Sequence, residues 1–245
     1  MPGTHHAAAL APTGPLRAGV MVAPMADVVF AHRPSPEAPP EGVTVDLFAS
    51  LAEAIGRPLQ LEVFGNSGAC TEALAAAAID VAAMPVDAER RARLAFGPGY
   101  YRLRSLFLCT GPADTLAAMN APGRRFLAIA GTTTLRAACR AVPQATALQA
   151  ATVAEALDRL EAGEAEALAL SEIYLRAVQP RFPGSRLMAE AFQETTVAIA
   201  TPPGRPEALA AASAHLRSLA TDGTLRAMFD RHGLHDAPVT LTEPD

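Results

Sequence analysis

The chain has 245 residues, half of them hydrophobic, and a formal net charge of -5, which suits a soluble globular protein with one large core or two smaller ones. A pI near 5.7, with arginines scattered singly among acids, excludes the basic stripe of a nucleic-acid-binding protein, so we expect no nucleic-acid partner. All 20 basic residues are arginine; this excludes phosphate-binding, Schiff-base and general-base lysines, although a coding bias toward arginine is the simpler explanation of the absence.

The first half of the chain alternates strand and helix patterns. Residues 1–14 are small, polar and proline-containing, which predicts a flexible leader. Thr44 as N-cap and Gly56 as stop signal bound an amphipathic helix. In chain order we predict a strand at 16–22, a proline-rich loop at 33–41, a helix from 44 to 55, a strand at 59–64, a helix at 71–78 and a strand at 80–84.

The second half repeats this alternation. Apolar runs at 100–108 and 195–200 are long enough to cross from one lobe to another. The other patterns predict a strand at 125–130, helices at 132–141 and 153–162, a strand at 165–170, and helices at 206–220 and 222–232. Such alternation predicts parallel sheets with crossover helices, and therefore an α/β protein of two lobes. A ligand cleft between the lobes, closed by hinge motion, is the corresponding expectation.

Short motifs follow one another in an order typical of one known family. They are G-V-T-V-D-L at 42–47, I-D-V at 79–81, D-A-E-R-R at 87–91, F-G-P-G-Y-Y at 96–101, A-G-T-T at 130–133, A-E-A-L-D-R-L-E-A-G at 154–163 and A-T-D-G-T at 220–224. The series resembles the bacterial extracellular solute-binding proteins that serve polar amino-acid importers, over residues 15–234. The resemblance implies the two-lobed type II periplasmic-binding-protein fold, with lobe 1 at 15–107 and 196–238, lobe 2 at 108–195, and a two-strand hinge.

The resemblance also implies a function. A monomer would capture a small polar, carboxylate-bearing, amino-acid-like solute in the cleft between its lobes and deliver it to the membrane permease of an ABC importer in the periplasm. The opening residues lack the basic start and apolar run of a signal peptide. Either an export signal has been removed from the chain, or the protein is cytoplasmic. We expect no cofactor and no enzymatic activity.

Arg90 is the first candidate ligand-binding residue. It matches the arginine with which the family grips the ligand carboxylate, and a guanidinium binds a carboxylate through two parallel, charge-assisted hydrogen bonds. Two other interpretations remain open: Arg90 is a solvated member of the run with Arg91 and Arg93, or it pairs with Asp87 three residues earlier on a helix. Pro85 and Asp87 stand where the family has small hydroxyl residues.

Two further candidates in the first lobe have ordinary structural alternatives. Asn66, followed by Ser67, comes at the end of the second strand, although Asn-Ser-Gly is also plain turn sequence. Tyr101 would stack on a ligand or donate a hydrogen bond to it, or else begin the crossing strand.

The second lobe offers hydroxyl groups and one acid. Thr132 and Thr133 follow an apolar strand and open a helix, where threonines and backbone N–H groups either bind an anion or cap the helix. Ser171 aligns with the aspartate by which the family holds the ligand α-amino group, and Glu172 is the neighbouring anion. Neighbours at a strand end need not point the same way, so the substitution argues against an ordinary α-amino acid ligand.

Rival functions use the same fold. A cleft enzyme such as a cyclohexadienyl or arogenate dehydratase would take Glu172, Glu194 or Asp87 as its acid or base. All six histidines, however, lie in the leader, a loop or the C-terminal region. The third hypothesis is a ligand-sensing domain that acts through a docked protein.

Metal and disulfide sites are not indicated. His232 and His235 are three residues apart but lack a third ligand nearby. The cysteines Cys70, Cys109 and Cys139 are odd in number and widely spaced, so neither a zinc site nor a disulfide framework is predicted, although one disulfide stays open. We expect them to be small buried residues.

Overall fold

The chain divides into two compact units. The computed structural model describes residues 9–22, 29–33, 35, 37–235, 237 and 239–242. Unit 1 comprises Met1–Val22, Asp27–Arg102 and Thr196–Asp245, and unit 2 comprises Ala23–Ala26 and Leu103–Thr195. Two long strands, Ala95–Cys109 and Gln193–Thr201, contribute residues to both units.

Unit 1 is a mixed sheet with helices packed against it. Its elements are β1 (Leu16–Met21), α1 (Val43–Ala54), β2 (Leu59–Phe64), α2 (Ser67–Ala75), β3 (Val81–Pro85), α3 (Ala88–Arg91), the first part of β4 (Ala95–Cys109), the end of β9 (Gln193–Thr201), α8 (Pro206–Thr221), α9 (Thr224–Arg231) and β10 (Val239–Thr242). Strand β1 lies between parallel neighbours β2 and β3, and β9 runs antiparallel to β3. Strand β10 pairs antiparallel with β4.

Unit 2 repeats the parallel part of this arrangement. Its elements are the end of β4, α4 (Leu116–Met119), β5 (Arg125–Ile129), α5 (Thr133–Ala141), β6 (Thr146–Ala150), α6 (Val153–Glu161), β7 (Ala167–Ser171), α7 (Glu172–Val178), a 3-10 turn (Gln179–Arg181), β8 (Arg186–Leu187) and the start of β9. Strand β5 lies between parallel β6 and β7. Strand β4 runs antiparallel to both β7 and β8.

Strands β5 and β7 of unit 2 are buried on both faces. Phe126 and Ala128 of β5 belong to one core cluster, while Leu127 and Ile129 belong to another. Successive side chains of a strand point to opposite faces of the sheet, so each cluster fills one face. In unit 1, β3 is buried along its whole length. Burial on both faces explains why these strands read as continuous apolar runs in the sequence.

The predicted alternation of strands and helices and the parallel pairing are confirmed. Gly56 ends α1 with a φ of 64°, as predicted for a stop signal. Thr44 as N-cap is wrong, because the cap position is Gly42. The Thr44 hydroxyl instead donates to the Val29 carbonyl at 2.7 Å.

Other elements also differ from the sequence prediction. Helix α2 begins at Ser67 rather than 71, because the Asn66 side chain caps it. Strand β6 is missing from the prediction, since it lies at the end of the strand order beside β5 and carries few aliphatic side chains. Helix α7 is missing too, because Glu172 follows β7 without an intervening turn.

The described end of the predicted leader is packed against unit 1. Leu10 and Ala11 are buried. One guanidinium nitrogen of Arg205 donates to the carbonyls of Ala9 and Leu10 at 2.7 and 3.0 Å, and the other donates to Asp80 at 3.1 Å. Among the described residues, no helix combines the length and apolar character needed to span a bilayer.

Candidate functional site

The carboxyl ends of β2 and β3 bring polar residues to one edge of the unit 1 sheet. In open α/β sheets, ligands bind at this edge. Asn66 follows β2 and accepts a hydrogen bond from the Ala69 N–H at 2.8 Å, which caps α2. Asn66 therefore acts as a helix cap, as its turn sequence allows. The adjacent Ser67 hydroxyl lies within hydrogen-bond distance of Arg90, which follows β3.

Arg90 is buried at this edge, with an exposed fraction of 2%. Its Nη1 donates to the Pro85 carbonyl at 2.8 Å, and its Nη2 donates to the Ser67 hydroxyl at 2.7 Å. Both acceptors are neutral, and these bonds orient the guanidinium. Arg91, by contrast, is exposed, and Arg93 forms a two-bond ion pair with Glu72. The interpretation of Arg90 as a solvated surface arginine is therefore wrong.

Asp87 caps the short helix that carries Arg90. Its Oδ1 accepts a hydrogen bond from the Arg90 backbone N–H at 2.9 Å. The carboxylate thus helps to fix the helix turn from which the guanidinium projects. Nearby Cys70 is a buried thiol whose pKa is raised to about 12 by burial, against the opposing effect of the Arg90 charge. The thiol is neutral at pH 7 and does not compensate the arginine.

Tyr101 lies within β4 rather than at its start. Its ring is buried and packs against Phe229, with the ring centroids 5.7 Å apart. The neighbouring Tyr100 is also buried against Phe229, and its hydroxyl lies 3.2 Å from the Thr44 hydroxyl. These contacts give Tyr101 a core position in unit 1, and a ligand contact for it stays a prediction.

In unit 2, the turn after β5 presents the two predicted threonines. Thr132 occupies the N-cap of α5: its hydroxyl accepts from the Leu135 N–H at 3.1 Å and donates to the Ile129 carbonyl at 2.8 Å. Thr133 is the buried first residue of the helix. Capping is thus observed for Thr132, and binding of a solute by either threonine stays a prediction.

Ser171 and Glu172 stand at the carboxyl end of β7. Ser171 ends the strand and is the N-cap of α7, with no capping hydrogen bond from its side chain. Glu172 accepts from Arg104 Nη1 at 2.5 Å through one oxygen, and from Arg176 Nε and Nη2 at 3.0 and 2.6 Å through the other. Both oxygens of Glu172 thus bind arginines, and its role as the anion for a ligand amine stays a prediction.

Two partners in these clusters are missing from the sequence prediction. The sequence places Ser67 beside Asn66 at the expected cleft mouth but does not connect it with Arg90, and Arg104 is 68 positions away from the glutamate it binds. Arg104 also lies 3.3 Å from Glu194 through its Nε. A helix-spacing signal exists for Arg176 and Glu172, which are four residues apart, but no local pattern connects Arg104 to either acid.

The described residues contain no group of three or more His, Cys, Asp or Glu side chains arranged to hold a metal ion. His232 bonds to Asp46, with its Nε2 3.1 Å from the carboxylate. Cys70 and Cys109 are buried as predicted, whereas Cys139 is exposed, and all three are free thiols.

Comparisons with known proteins identify the fold. A solute receptor for L-cysteine of Neisseria gonorrhoeae matches with a TM-score of 0.79 at 20% identity, over 94% of this chain and 93% of that one. The substrate-binding protein of an amino acid ABC transporter matches with a TM-score of 0.78 at 18% identity, over 89% and 98% of the two chains. An ancestral amino acid-binding protein, AncCDT-1, a precursor of cyclohexadienyl dehydratase, matches with a TM-score of 0.76 at 20% identity, over 89% and 95%.

At these identities the structural likeness establishes the fold alone, and it confirms the predicted type II periplasmic-binding-protein class. No curated protein sequence matches the chain. A family model matches residues 28–235, which is most of the chain. The protein therefore belongs to the bacterial extracellular solute-binding proteins, family 3, and has the ligand-binding role of that family.

Proposed function

We propose that the protein is the substrate-binding component of an ABC importer and that Arg90 binds the carboxylate of a small solute. The supporting observation is the buried guanidinium, held by the Pro85 carbonyl and the Ser67 hydroxyl at the carboxyl edge of the unit 1 sheet. A preoriented guanidinium loses little freedom on binding a carboxylate, and it forms two parallel charge-assisted bonds.

The transport role rests on family membership and on likeness to binding proteins of amino acid importers. In this role the protein acts as a monomer outside the cytoplasmic membrane and passes its solute to a membrane permease. In this role the protein releases the solute chemically unchanged. Glu172 is engaged by two arginines, Glu194 lies against Arg104, and Asp87 caps a helix. All three acids considered for an enzyme therefore have structural partners.

Calorimetric titration of the full chain with a panel of small carboxylates tests this proposal. Arg90→Ala should weaken binding of the responding carboxylate at least about a hundredfold, since hydrogen bonds to charged groups contribute roughly 1.5–3 kcal/mol each. Arg91→Ala removes an exposed arginine from the same helix and should leave affinity unchanged.

Folding and turnover controls complete the test. Arg90→Lys keeps the charge without the fork geometry and should retain only part of the affinity. Thermal unfolding of each unliganded variant shows whether the variant is folded. Equal affinity in wild type and a folded Arg90→Ala protein would remove Arg90 from the site. Disappearance of the bound solute, followed by NMR, would contradict the binding-only role.

A further inference from the structure

Thr71 contacts the two segments of unit 1 that supply the acceptors of the Arg90 guanidinium. One acceptor is the Ser67 hydroxyl, at the start of α2, and the other is the Pro85 carbonyl, at the end of β3. The two acceptors belong to different elements, so their spacing depends on how α2 packs against β3. Thr71 lies one helical turn after Ser67 and is buried, with an exposed fraction of 4%.

The Thr71 hydroxyl binds the first of these segments. It donates to the Ser67 carbonyl at 2.7 Å, and the hydroxyl of Ser67 accepts from Arg90 Nη2 at 2.7 Å. The Asn66 side chain caps the same turn of α2. Because side-chain rotamers are defined relative to the backbone, holding the backbone of Ser67 also restricts the positions of its hydroxyl.

The same hydroxyl contacts the second segment. Thr71 Oγ1 lies 3.6 Å from Met84 Sδ, which is a weak acceptor. Met84 directly precedes Pro85, and a proline has no N–H with which to bond to a neighbouring strand. On the other side of Pro85, the Val86 N–H donates to the Thr196 carbonyl at 2.9 Å. The Pro85 carbonyl is thus positioned through its two neighbours, and Met84, one of these neighbours, contacts Thr71.

The helix that carries Thr71 packs closely on the sheet. Cys70, the residue before Thr71, is fully buried. A Cβ added to Gly19 of β1 would lie 2.9 Å from the Cys70 sulfur and 2.5 Å from Ile79 Cδ1. Glycine at this position therefore allows the close approach of α2 to β1.

A second threonine shows what is particular to Thr71. A bond from a threonine hydroxyl to the carbonyl four residues earlier is by itself an ordinary helix feature. Thr221 of α8 forms one, donating to the Arg217 carbonyl at 2.8 Å, but Thr221 is exposed. Thr71 is buried, and its hydroxyl also contacts Met84 on the neighbouring strand. This second contact connects the two segments on which Arg90 depends.

We propose that Thr71 is a positioning residue for Arg90: its hydroxyl holds the Ser67 and Pro85 segments at the spacing that the guanidinium requires, and it thereby raises the affinity for a carboxylate. A guanidinium that is not held in one orientation loses more freedom on binding, which weakens the complex. The effect on affinity rests on the proposed function of Arg90, whereas the positioning of its side chain can be measured without a solute.

The NMR signals of the Arg90 side chain in the unliganded full chain are the first readout. Guanidinium N–H protons give separate signals when rotation about the Cζ–Nη bonds is hindered, and averaged signals when rotation is fast. The Arg90 signals are assigned by their disappearance in Arg90→Lys. Thr71→Val removes the hydroxyl but keeps a β-branched side chain, and it should average or broaden these signals. Thr71→Ser keeps the hydroxyl and should preserve them.

Calorimetric titration with a carboxylate that binds the wild type gives the second readout. Thr71→Val should bind it about threefold more weakly, and Ser67→Ala roughly fivefold more weakly, because each loses one net hydrogen bond. In the double variant, Thr71→Val should cost little affinity beyond the loss from Ser67→Ala, since residues that act through one another are not additive. Thr71→Ser should bind nearly as the wild type does.

Thr221→Val is the matched control, because it removes the same kind of bond from α8 and should leave both readouts unchanged. Thermal unfolding shows whether each variant is folded. Met84→Leu removes the sulfur at nearly constant side-chain volume and should change the Arg90 signals in the same direction as Thr71→Val, to a smaller extent. It carries the test if Thr71→Val does not fold.

The outcomes distinguish this inference from the proposed function. Wild-type Arg90 signals in a folded Thr71→Val protein would overturn the inference, and so would equal effects of Thr71→Val and Thr221→Val. Unchanged signals in Met84→Leu would overturn the connection to β3. If no carboxylate binds, or if binding survives Arg90→Ala, the proposed function is wrong, and the NMR signals still decide whether Thr71 positions the arginine.

Discussion

Units 1 and 2 repeat one order of strands and helices, but they hold their charges differently. In each unit a central strand lies between two parallel neighbours, and an acid directly precedes the third strand of the repeat: Asp80 before β3 and Glu166 before β7. At the carboxyl edge, unit 1 anchors an arginine to neutral acceptors, whereas unit 2 surrounds a glutamate with arginines. The same backbone plan thus places an arginine with neutral acceptors at one edge and a glutamate with arginine partners at the other.

The largest expected effect concerns Asp80 and Glu166, the acids that directly precede β3 and β7. Asp80 is almost fully buried and accepts from Arg17 at 2.8 and 3.0 Å and from Arg205 at 3.1 Å. Asp80→Asn should lower the free energy of unfolding by about 2–3 kcal/mol, less than for a fully buried pair because Arg17 is partly exposed. Glu166 is more exposed and has Arg124 as its partner. Glu166→Gln should therefore change the free energy of unfolding by about 1 kcal/mol or less. Urea unfolding measures both.

The Asp80 effect should also depend on pH. Burial opposes ionisation of Asp80, but the hydrogen bonds from Arg17 and Arg205 outweigh it, so its pKa is lowered. A carboxyl with a lowered pKa in the folded state stabilises the protein above its unfolded pKa, about 3.9, and this contribution is lost as pH falls through the folded pKa. The difference between wild type and Asp80→Asn should be constant from pH 5 to 7 and shrink below about pH 4. If the difference in free energy of unfolding between wild type and Asp80→Asn stays the same below about pH 4, the ion pairs of Asp80 are not its cause.

A smaller effect is expected from the partner of the buried arginine. Ser67→Ala removes the hydroxyl that accepts from Arg90 Nη2, so affinity for the carboxylate should fall about fivefold, the size of one net hydrogen bond. Ser67→Thr keeps the acceptor and should restore most of the affinity. Ser218→Ala changes an exposed serine on α8 and serves as the control. If Ser67→Ala binds as wild type does, the Ser67 hydroxyl is not needed to orient Arg90.

The smallest expected effect is a dependence of the free energy of unfolding on pH near neutrality, and it comes from unit 1. All six histidines fall in the ranges of unit 1 and none in those of unit 2. His215 of α8 lies 3.0 Å from the Ser50 hydroxyl of α1, and its pKa is lowered because burial disfavours the charged ring, against the opposing charge of Asp222. The unfolded state therefore takes up the proton first, and stability should fall as pH drops below about 6.5 toward the folded pKa. His215→Gln should reduce this slope in urea unfolding at pH 5–8; an unchanged slope would assign it to other groups.

The sequence predicts the repeated strands and helices because their signals are local. Continuous apolar runs identify β3 and β5, and Gly56 marks the end of α1. Arg90 is found through its place in a motif, but the Ser67 hydroxyl that it binds is 23 positions away. The pairing of Glu172 with Arg104 spans 68 positions. Hydrogen bonds between side chains on different elements leave no periodic trace in a single sequence, and for this reason the arginine partners of Glu172 emerge only from the structure.

Strand β9 has a consequence for the order in which the chain acquires its structure. Unit 1 takes β9, α8 and α9 from the last part of the chain, whereas the stretch Leu103–Thr195 of unit 2 is continuous. Domains generally fold as units during synthesis, so the ribosome has made all of this stretch before the antiparallel partner of β3 emerges. A nascent chain halted at residue 195 contains every parallel strand of both repeats, yet β3 still has an open edge. Completion of unit 1 therefore waits for the synthesis of β9, α8 and α9.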